Sequence, residues 1–383
     1  HINHDYGRQA GRGGVGTVMG VKKVKAIVIR GTGSVPVADP EGYRNAGMAL
    51  YKACKDAEGL QEWTRYGTTI VTSWCDEVGA LPTRNFSAGS FEGGKTLYGP
   101  VMRKEIVITD KGCFGCPCPC GKYSNMKRYN SVVEGPEYET IALMGSNLGI
   151  ADIQAVAEAN RLADDLGIDS ISAGNCIAWA MEAYEKGILT KDDTDGLDLK
   201  FGNIEATFEA IKKIAFREGK LGELLSLGVK RAAQKIGKGS EKFAIHVKGM
   251  EQSGYATHNA TAMLLAYMTC DVGAHHNRSW AITYDLQVGR DQVVPEKVAR
   301  VIWLQNFRPM FDVLGSCRLQ WVELGIDRNL YVPVLEAITG IHRSWEDLEA
   351  VGNRIWNLTR MYWVREIDGF DRSWDQPSPR FYE

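Results

Sequence analysis

The sequence predicts a mainly α-helical fold with a short β segment near its beginning, and three observations support this prediction. Apolar residues recur at helical spacing through most of the chain after residue 40. Glycine and proline separate these helical segments from one another. The first 36 residues differ, because they are rich in glycine and contain one strand-like run at residues 24–29. With 383 residues, the chain can form two or three domains.

Two helices can be predicted from the residues at their ends. Residues 151–166 have apolar positions at helical spacing, with Asp152 as the N-cap and Gly167 directly after the C-terminus. Ser344 and Asp347 have the spacing of a capping box, which predicts that a helix begins there. The apolar side of this second helix consists of Leu348, Val351, Ile355, Leu358 and Tyr362.

Three further elements follow from local patterns. A helix is predicted over residues 204–216, and it ends before Gly219. Short strands are predicted at residues 105–109 and 243–247. The second of these strands interrupts an otherwise helical pattern, so it marks a boundary between two helical parts of the chain.

The composition indicates a globular protein and excludes several classes. Hydrophobic residues make up 44% of the chain and charged residues 24%, which is ordinary for a protein with a substantial core. A net charge of −2 gives no electrostatic basis for binding nucleic acid or an anionic membrane surface. The sequence has no run of 18 apolar residues, so no membrane span is expected.

The number of cysteines and the first residue bear on the cellular setting. Nine cysteines are too few for a disulfide scaffold in a chain of this length. They favour a reducing, cytoplasmic location and thiols that bind metal. The chain begins with His1 rather than methionine. We therefore expect that it is part of a longer protein, truncated at the N-terminus and at the C-terminus.

Four cysteines lie within eight residues and form the most informative segment. Cys113, Cys116 and Cys120 have the spacing C-x2-C-x3-C, and Cys118 lies between the last two. Prolines alternate with these cysteines and resist helix formation, so the segment is predicted to be a loop. Zinc and iron–sulfur clusters both suit such a loop. Structural zinc usually draws a second Cys or His pair nearby, and none follows in the next hundred residues. This favours a cubane cluster with a distant fourth ligand over zinc or unligated thiols.

Two segments, residues 164–170 and 312–318, share the pattern Asp-x-Leu-Gly. The ordinary explanation is a helix C-terminus closed by a left-handed glycine. In the first segment, however, Asp164 and Asp165 lie in the last helical turn, where a carboxylate costs about 0.3–1 kcal/mol. A ligand that offers N–H donors would offset this cost. In the second segment, Cys317 could supply the missing ligand of the cluster, which would bring the two sites together.

Together, these turns, the cysteine spacing and the distant cysteine resemble the aldehyde:ferredoxin oxidoreductase family. Further segments that resemble it are residues 7–16 and 135–140 and the helix that ends at residues 365–366. The resemblance implies two helical domains around a tungsten or molybdenum bis-pterin, preceded by a remnant of an N-terminal β domain. The corresponding boundaries are residues 1–36, 37–243 and 244–383.

The resemblance also implies the site residues. A [4Fe–4S] cluster would be held by Cys113, Cys116, Cys120 and Cys317. The pterins or their phosphates would be bound by Arg8, Gln9, Gly11, Asp164, Gly167, Ile168, Asp169, Arg278, Asp312, Gly315, Ser316 and Arg318. The catalytic residues would be Glu139 and His276. Glu139 could instead be an ordinary carboxylate at a helix N-terminus. The segment around His258 departs from the family pattern, which leaves the substrate open.

The function implied by the resemblance is the oxidation of an aldehyde to a carboxylate, with electrons passing through the cluster to ferredoxin or an iron–sulfur subunit. A homo-oligomer is possible. Two alternatives are a relative that reduces an aromatic acyl thioester, and an iron–sulfur scaffold or electron-transfer subunit without a metal-pterin. A third is dinucleotide binding at residues 11–16, which match G-x-G-x-x-G. The residues before this motif are polar and a strand-like run follows it, whereas the fingerprint should follow a strand and open a helix.

Overall fold

The computed structural model describes residues 1–5 and 7–382, and it confirms the mainly α-helical prediction. Helices occupy 55% of the chain and strands 7%. The α-helices are α1 (Val15–Val21), α2 (Pro40–Asp56), α3 (Leu60–Tyr66), α4 (Val71–Glu77), α5 (Gly99–Glu105), α6 (Tyr138–Met144), α7 (Ile153–Leu166), α8 (Ser170–Glu185), α9 (Ile204–Phe216), α10 (Gly219–Leu225), α11 (Val229–Ile236), α12 (Thr261–Thr269), α13 (Ile282–Val288), α14 (Pro295–Phe307), α15 (Pro309–Val313), α16 (Leu319–Leu324), α17 (Tyr331–Thr339) and α18 (Trp345–Glu366).

The strands form three small antiparallel sheets. The first pairs β1 (Ile2–His4) with β2 (Arg8–Ala10). The second has the order β3–β4–β5, formed by Val107–Lys111, Gly121–Met126 and Ser131–Glu134. The third pairs β6 (His246–Val247) with β7 (Met250–Glu251). The cysteine segment is the connection between β3 and β4, so the second sheet holds both ends of the predicted cluster loop.

The short β segment near the beginning is confirmed, but the strand predicted at residues 24–29 is wrong. Residues 24–30 have no regular secondary structure. The side chains of Ile27, Val28 and Ile29 are 74%, 91% and 86% exposed. A strand needs another strand as the partner for its backbone groups, and residues 24–29 pair with no strand within residues 1–5 and 7–382. The strands lie earlier, at β1 and β2.

The predicted surroundings of the glycine motif are also wrong. The polar residues before the motif form a hairpin, in which β1 pairs with β2. The motif at residues 11–16 therefore follows a strand, β2, and leads into helix α1. The local order is therefore strand, glycines, helix. The dinucleotide fold further requires a parallel β-α-β unit, whereas every strand pair in the described part of the chain is antiparallel.

The predicted helix ends agree well with the structure. Asp152 caps α7, since its Oδ1 accepts from the backbone N–H of Gln154 and Ala155. Gly167 follows α7 with a φ of 73°, a conformation that glycine adopts without strain. Helix α9 ends at residue 216, as predicted. The strand predicted at residues 105–109 is found two residues later, and only residues 246–247 of the predicted strand 243–247 are extended.

The main hydrophobic core is continuous across residue 243, where we expected a domain boundary. It includes Tyr138 and Trp179 from one side and Tyr267 and Leu304 from the other. A second, aromatic cluster around Phe307 and the start of α18 packs beside it. A third, small cluster lies under the cysteine loop. The division into domains remains a prediction.

No single helix among the described residues is long and apolar enough to cross a membrane. One pair passes the same test only when taken together, by length and composition. It consists of residues 138–148 and 153–166, whose axes differ by 116°.

The capping box of α18 yields a first prediction. Ser344 Oγ accepts from the N–H of Asp347, and the Asp347 carboxylate accepts from the N–H of Ser344. We expect Ser344→Ala to lower the free energy of unfolding by about 1 kcal/mol, measured by chemical denaturation. The control is Ser90→Ala, at an exposed position outside regular helices, which should change it by less than about 0.5 kcal/mol. Equal effects of the two substitutions would contradict the cap's contribution.

Candidate cofactor site and active site

The cysteine loop is folded so that backbone groups face its sulfur atoms. The N–H of Cys116 donates to the carbonyl of Cys113, which forms a turn. The N–H of Cys118 donates to Cys116 Sγ at 3.4 Å. The loop is anchored by Lys122, whose Nζ donates to the carbonyls of Cys120 and Thr64.

Cys118 points to a different environment from the other loop thiols. Its side chain is 6% exposed and packs with Leu60 and Ile326. The thiols of Cys118 and Cys54 share a hydrogen bond. Burial raises the pKa of Cys118 to about 12. Cys118 is therefore placed as an apolar contact beneath the loop.

The distant cysteine lies next to the loop. Cys317 is exposed. Partial desolvation by neighbouring groups raises the pKa of its thiol, and the nearby thiols of Cys116 and Cys113 contribute in the same direction. Burial raises the pKa of Cys120 to about 12, and the charges of Cys317 and Cys113 contribute to this. Among the described residues, no three Cys, His, Asp or Glu side chains are arranged around a single metal ion. Four cysteine thiols are the ligand set that a cubane cluster requires, and the cluster at these residues remains a prediction.

Arg8 extends from the first hairpin towards this loop. Its Nη1 donates to Glu137 Oε1 at 2.9 Å, and its Nη2 lies 3.2 Å from Glu134 Oε1. Its charge acts on Cys120. The buried Nε of Arg8 has no hydrogen-bond partner in the described part of the chain. Arg8 thus lies beside the end of the cysteine loop at Gly121, with a donor still available.

The two Asp-x-Leu-Gly turns have the same backbone hydrogen bonds. In the first, the N–H groups of Gly167 and Ile168 donate to the carbonyls of Asp164 and Ala163. In the second, those of Gly315 and Ser316 donate to the carbonyls of Asp312 and Phe311. Both glycines have positive φ, 73° and 64°. The shared sequence pattern therefore encodes one local structure, a helix end of the Schellman type.

The carboxylate of Asp164 already receives donors from the protein. Asp164 Oδ2 accepts from Asn160 Nδ2 at 3.1 Å, and Oδ1 lies 3.4 Å from Gln9 Nε2. Burial, followed by the charge of Asp165, raises the pKa of Asp164 to about 6. Asp165 forms an ion pair with Arg161. Side chains of the protein therefore offset the predicted cost of carboxylates at this helix end, and a contact of Asp164 with a ligand stays a prediction.

Asp169 has a structural task in addition to its place in the turn. Its carboxylate caps α8, accepting from the N–H of Ile171 and Ser172. It also accepts from Arg12 Nε at 3.1 Å. Arg12 Nη2 donates to the carbonyl of Glu251 at 2.6 Å. Arg12 therefore ties the first turn to β7, a role that the sequence analysis missed, although Arg12 lies inside the glycine motif.

Cavities follow the glycine-rich segment. One of about 280 Å³ is lined by Gln9, Gly11 and Arg12 and by the segment that contains His275, Asn277 and Arg278. A second, of about 290 Å³, is lined by Gly167, Ile168 and Asp169. A third, of about 960 Å³, shares residues with both. These volumes are typical of ligand sites.

Unpartnered polar atoms at the first cavity allow a test of its fit to a pterin. The buried oxygens Gln9 Oε1 and Asn277 Oδ1 have no hydrogen-bond partner among the described residues. Both are acceptors, and an aminopyrimidine ring carries N–H donors. The residues present therefore fit a pterin in this cavity.

The second turn reaches the same region through Arg278. The guanidinium of Arg278 forms ion pairs with Asp312 and, at 3.1 Å, with Asp271. Arg278 also lines the 280 Å³ cavity. Gly315 and Ser316 line none of these cavities, and Ser316 Oγ lies 3.4 Å from Gln320 Oε1. Arg318 lines a different, smaller cavity beside His276.

Glu139 and His276 come together in a largely buried site. Glu139 Oε1 lies 3.2 Å from His276 Nδ1, although the two are not aligned for a hydrogen bond. Glu139 Oε2 accepts from the N–H of Gly254 at 2.7 Å. A Cβ at residue 254 would lie 2.9 Å from the side chain of Ala142, so this close approach requires glycine.

The surroundings shift both groups towards their neutral forms. Burial raises the pKa of Glu139 to about 7, partly opposed by the hydrogen bond from Gly254. Burial lowers the pKa of His276 well below its usual value. The ring of His276 packs on His275, with centroids 5.1 Å apart, and on Tyr255 at 5.5 Å. A neutral imidazole beside a carboxyl group that titrates near neutrality places an N–H donor and a proton acceptor in one site.

His258 lies apart from this pair. It is exposed and packs against Phe381, with ring centroids 5.1 Å apart. It lines none of the cavities described above.

Comparison with known proteins agrees with this architecture. The family model described as aldehyde ferredoxin oxidoreductase, domains 2 and 3, matches residues 45–383, and the model of its N-terminal domain matches residues 1–31. The chain belongs to the aldehyde ferredoxin oxidoreductase family. This confirms the resemblance inferred from the cysteine spacing and the paired turns.

Individual relatives in the family are moderately similar. The tungsten-containing aldehyde ferredoxin oxidoreductase of Thermococcus kodakarensis is 36% identical over 100% of this chain and 63% of its own length. The enzyme of the same name from Pyrococcus abyssi is 37% identical over 93% of this chain and 59% of its own length. The aliphatic sulfonate oxidoreductase, WOR-like subunit, of Pyrococcus furiosus is 29% identical over 98% of this chain and 59% of its own length. The chain thus spans about three fifths of the length of these relatives.

A solved structure shows the same fold. One chain of the active-site complex BamBC of benzoyl coenzyme A reductase, bound to 1,5-dienoyl-CoA, superimposes with a TM-score of 0.77. The match covers 97% of this chain and 63% of the benzoyl coenzyme A reductase chain. The sequence identity is 22%, so this likeness concerns the fold alone.

Proposed function

We propose that this member of the aldehyde ferredoxin oxidoreductase family oxidises an aldehyde to a carboxylate and passes the electrons to ferredoxin or an iron–sulfur subunit. The observation that carries the proposal is the pair Glu139 and His276, 3.2 Å apart in a largely buried site. The names of the relatives from Thermococcus and Pyrococcus support the reaction and the tungsten. Nothing in the described residues favours an acyl thioester over an aldehyde.

The proposed cofactors are a tungsten or molybdenum bis-pterin and a [4Fe–4S] cluster. When bound, they supply a two-electron acceptor for the substrate and a one-electron path out of the protein. Gln9, Gly11 and Asn277 would hold one pterin in the 280 Å³ cavity. Gly167, Ile168 and Asp169 would contact it from the adjoining cavity, and Arg278 and Asp312 would take part from the second turn. The proposed cluster ligands are Cys113, Cys116, Cys120 and Cys317.

The roles proposed for the two catalytic residues follow from their protonation. His276 is neutral and therefore carries one ring N–H. A protonated Glu139 that reorients to donate its O–H to His276 Nδ1, 3.2 Å away, would leave the N–H on Nε2 to polarise a substrate carbonyl. When Glu139 is ionised, it can accept a proton from the attacking water. Glu139 is thus proposed to move the proton and His276 to polarise the carbonyl.

This assignment predicts the pH dependence of the reaction. Because Glu139 must be ionised to accept a proton, turnover should rise with pH through its pKa of about 7. The measurement is aldehyde-dependent dye reduction by the complete, anaerobically prepared protein from about pH 5.5 to about pH 9, a range that brackets this pKa. In Glu139→Gln, the residual rate should lose this ascending limb. An ascending limb near pH 7 that persists in Glu139→Gln would exclude Glu139 as its source.

A further inference from the structure

A buried lysine lies where the cysteine loop leads into strand β4. Lys122 is the second residue of β4, two residues after Cys120, and it is 3% exposed. Its Nζ donates to the carbonyls of Thr64, Cys120 and Gly121 at 2.8, 2.9 and 3.1 Å. An ammonium group has three N–H donors, whereas a neutral amine has two. Three carbonyl acceptors therefore match the charged form of this side chain.

The backbone at this end of the loop is tightly packed. A Cβ at residue 67 would lie 2.2 Å from the carbonyl oxygen of Cys120 and 3.5 Å from Lys122 Nζ. Gly67 also has a φ of 59°, which glycine adopts without strain. The ammonium group of Lys122 is thus held against the backbone of a proposed cluster ligand.

The charge of Lys122 is only partly compensated. Within residues 1–5 and 7–382, the carboxylate that lies within ion-pair distance of its Nζ is that of Asp110, at 3.4 Å. The two residues stand opposite each other in the register of β3 and β4. Asp110 also forms an ion pair with Arg103 and is 28% exposed. One partly solvated carboxylate therefore offsets two cations, and solvent screens its charge more than that of the buried lysine.

The other cation near Cys120 differs in this respect. The charge of Arg8 also acts on Cys120. Arg8, however, lies within ion-pair distance of two carboxylates, Glu134 and Glu137. The uncompensated positive charge beside Cys120 is therefore that of Lys122.

We infer that Lys122 sets the reduction potential of the iron–sulfur cluster by placing a fixed positive charge beside Cys120. Adding one electron to a cluster, without a proton, adds one negative charge. A buried positive charge nearby stabilises this reduced state, and the net charge of the surroundings is among the determinants of cluster potentials. Lys122 is a positioning residue, since it contacts the loop and is not itself a ligand. The inference rests on the proposed function, because it concerns the proposed cluster.

The first experiment removes the positive charge. The complete, anaerobically purified protein is titrated potentiometrically, and the reduced cluster is followed by electron paramagnetic resonance. We expect Lys122→Met to lower the ratio of reduced to oxidised cluster at a fixed potential by about threefold to tenfold. A tenfold change corresponds to about 59 mV for one electron. Lys122→Arg, which keeps the charge, should stay closer to the unaltered protein.

The matched control is Lys104→Met, which removes an exposed lysine of α5. Solvent and salt screen an exposed charge, so this substitution should leave the ratio of reduced to oxidised cluster unchanged. A shift equal to that of Lys122→Met would contradict the inference, because it would show an effect of net charge that is independent of position.

The second experiment shifts the same ratio in the opposite direction. Asp110→Asn removes the carboxylate that offsets Lys122 and leaves the three hydrogen bonds of its Nζ in place. The ratio of reduced to oxidised cluster should rise. Because Asp110 is partly exposed, this variant decides the question if Lys122→Met does not retain its cluster.

The outcomes separate this inference from the proposed function. If the protein holds four irons per chain and neither variant changes the potential, the inference is wrong and the proposed cluster stands. Shifts of both variants in the same direction would also overturn it, because they would indicate a general loosening of the loop. If the unaltered protein contains no iron, the proposed cluster is wrong and the inference falls with it.

Discussion

Glu139→Gln is expected to reduce aldehyde turnover by about 10²–10⁴-fold, the contribution that a positioned general acid or base usually makes. The amide keeps the size of the side chain and the acceptor for the N–H of Gly254. It cannot take up or release the proton. His276→Ala should cause a comparable loss, because it removes the donor that polarises the carbonyl. Both rates are measured by dye reduction with the complete protein.

The control for this pair is His258→Ala, since His258 is exposed and packs against Phe381 instead of lining the site. It should retain nearly full turnover. All three variants should keep their metal and pterin. If Glu139 only stabilises the N-terminus of α6, where it lies in the first turn, Glu139→Gln would alter stability by about 1 kcal/mol or less and leave turnover nearly intact. That result would remove Glu139 from the catalytic assignment.

Cys317→Ala is expected to lower the iron content from four atoms per chain to three or fewer. A cubane cluster needs four protein ligands, and Cys317, with the thiols of Cys113 and Cys116 near it, is the fourth ligand that we propose. Loss of the fourth ligand should also abolish the electron paramagnetic resonance signal of the reduced cluster. Electron transfer out of the protein should fail with it.

The matched control for Cys317→Ala is Cys118→Ala. Cys118 is buried against Leu60 and Ile326, and its thiol contacts that of Cys54. Its removal should leave four irons and an unchanged spectrum, at a cost in stability of order 1 kcal/mol for a lost apolar contact. If iron is retained in Cys317→Ala and lost in Cys118→Ala, the fourth ligand would be Cys118.

Most local structure of the site could be predicted from sequence because it depends on neighbouring residues. The helix ends at Asp152 and Gly167 follow from capping chemistry. The two turns share a backbone structure because they share Asp-x-Leu-Gly. The prediction of a strand at residues 24–29 was wrong because strand formation does not depend on neighbouring residues alone. Its apolar residues suggested a strand, but strand pairing depends on a partner elsewhere in the chain.

The residues that sequence reasoning missed act through long-range contacts. Arg12 joins segments 157 and 239 residues away, and no local pattern signals this. Arg308 could have been noticed as a charged residue inside the apolar stretch of α14 and α15. Its position beside His276 depends on hydrogen bonds from its Nη1 to the carbonyls of His276 and Asn277, which are 32 and 31 residues away in the sequence. The partners of Asp164 were missed likewise, since Gln9 lies 155 residues before it.

The central claim is that this chain holds a metal-pterin and an iron–sulfur cluster side by side. It is tested most directly by inductively coupled plasma analysis of the complete protein, purified without oxygen, together with pterin fluorescence after acid release. We expect about four irons, from one [4Fe–4S] cluster, and one tungsten or molybdenum per chain, with pterin released. Stoichiometric zinc without iron, or iron without tungsten, molybdenum and pterin, would contradict the account.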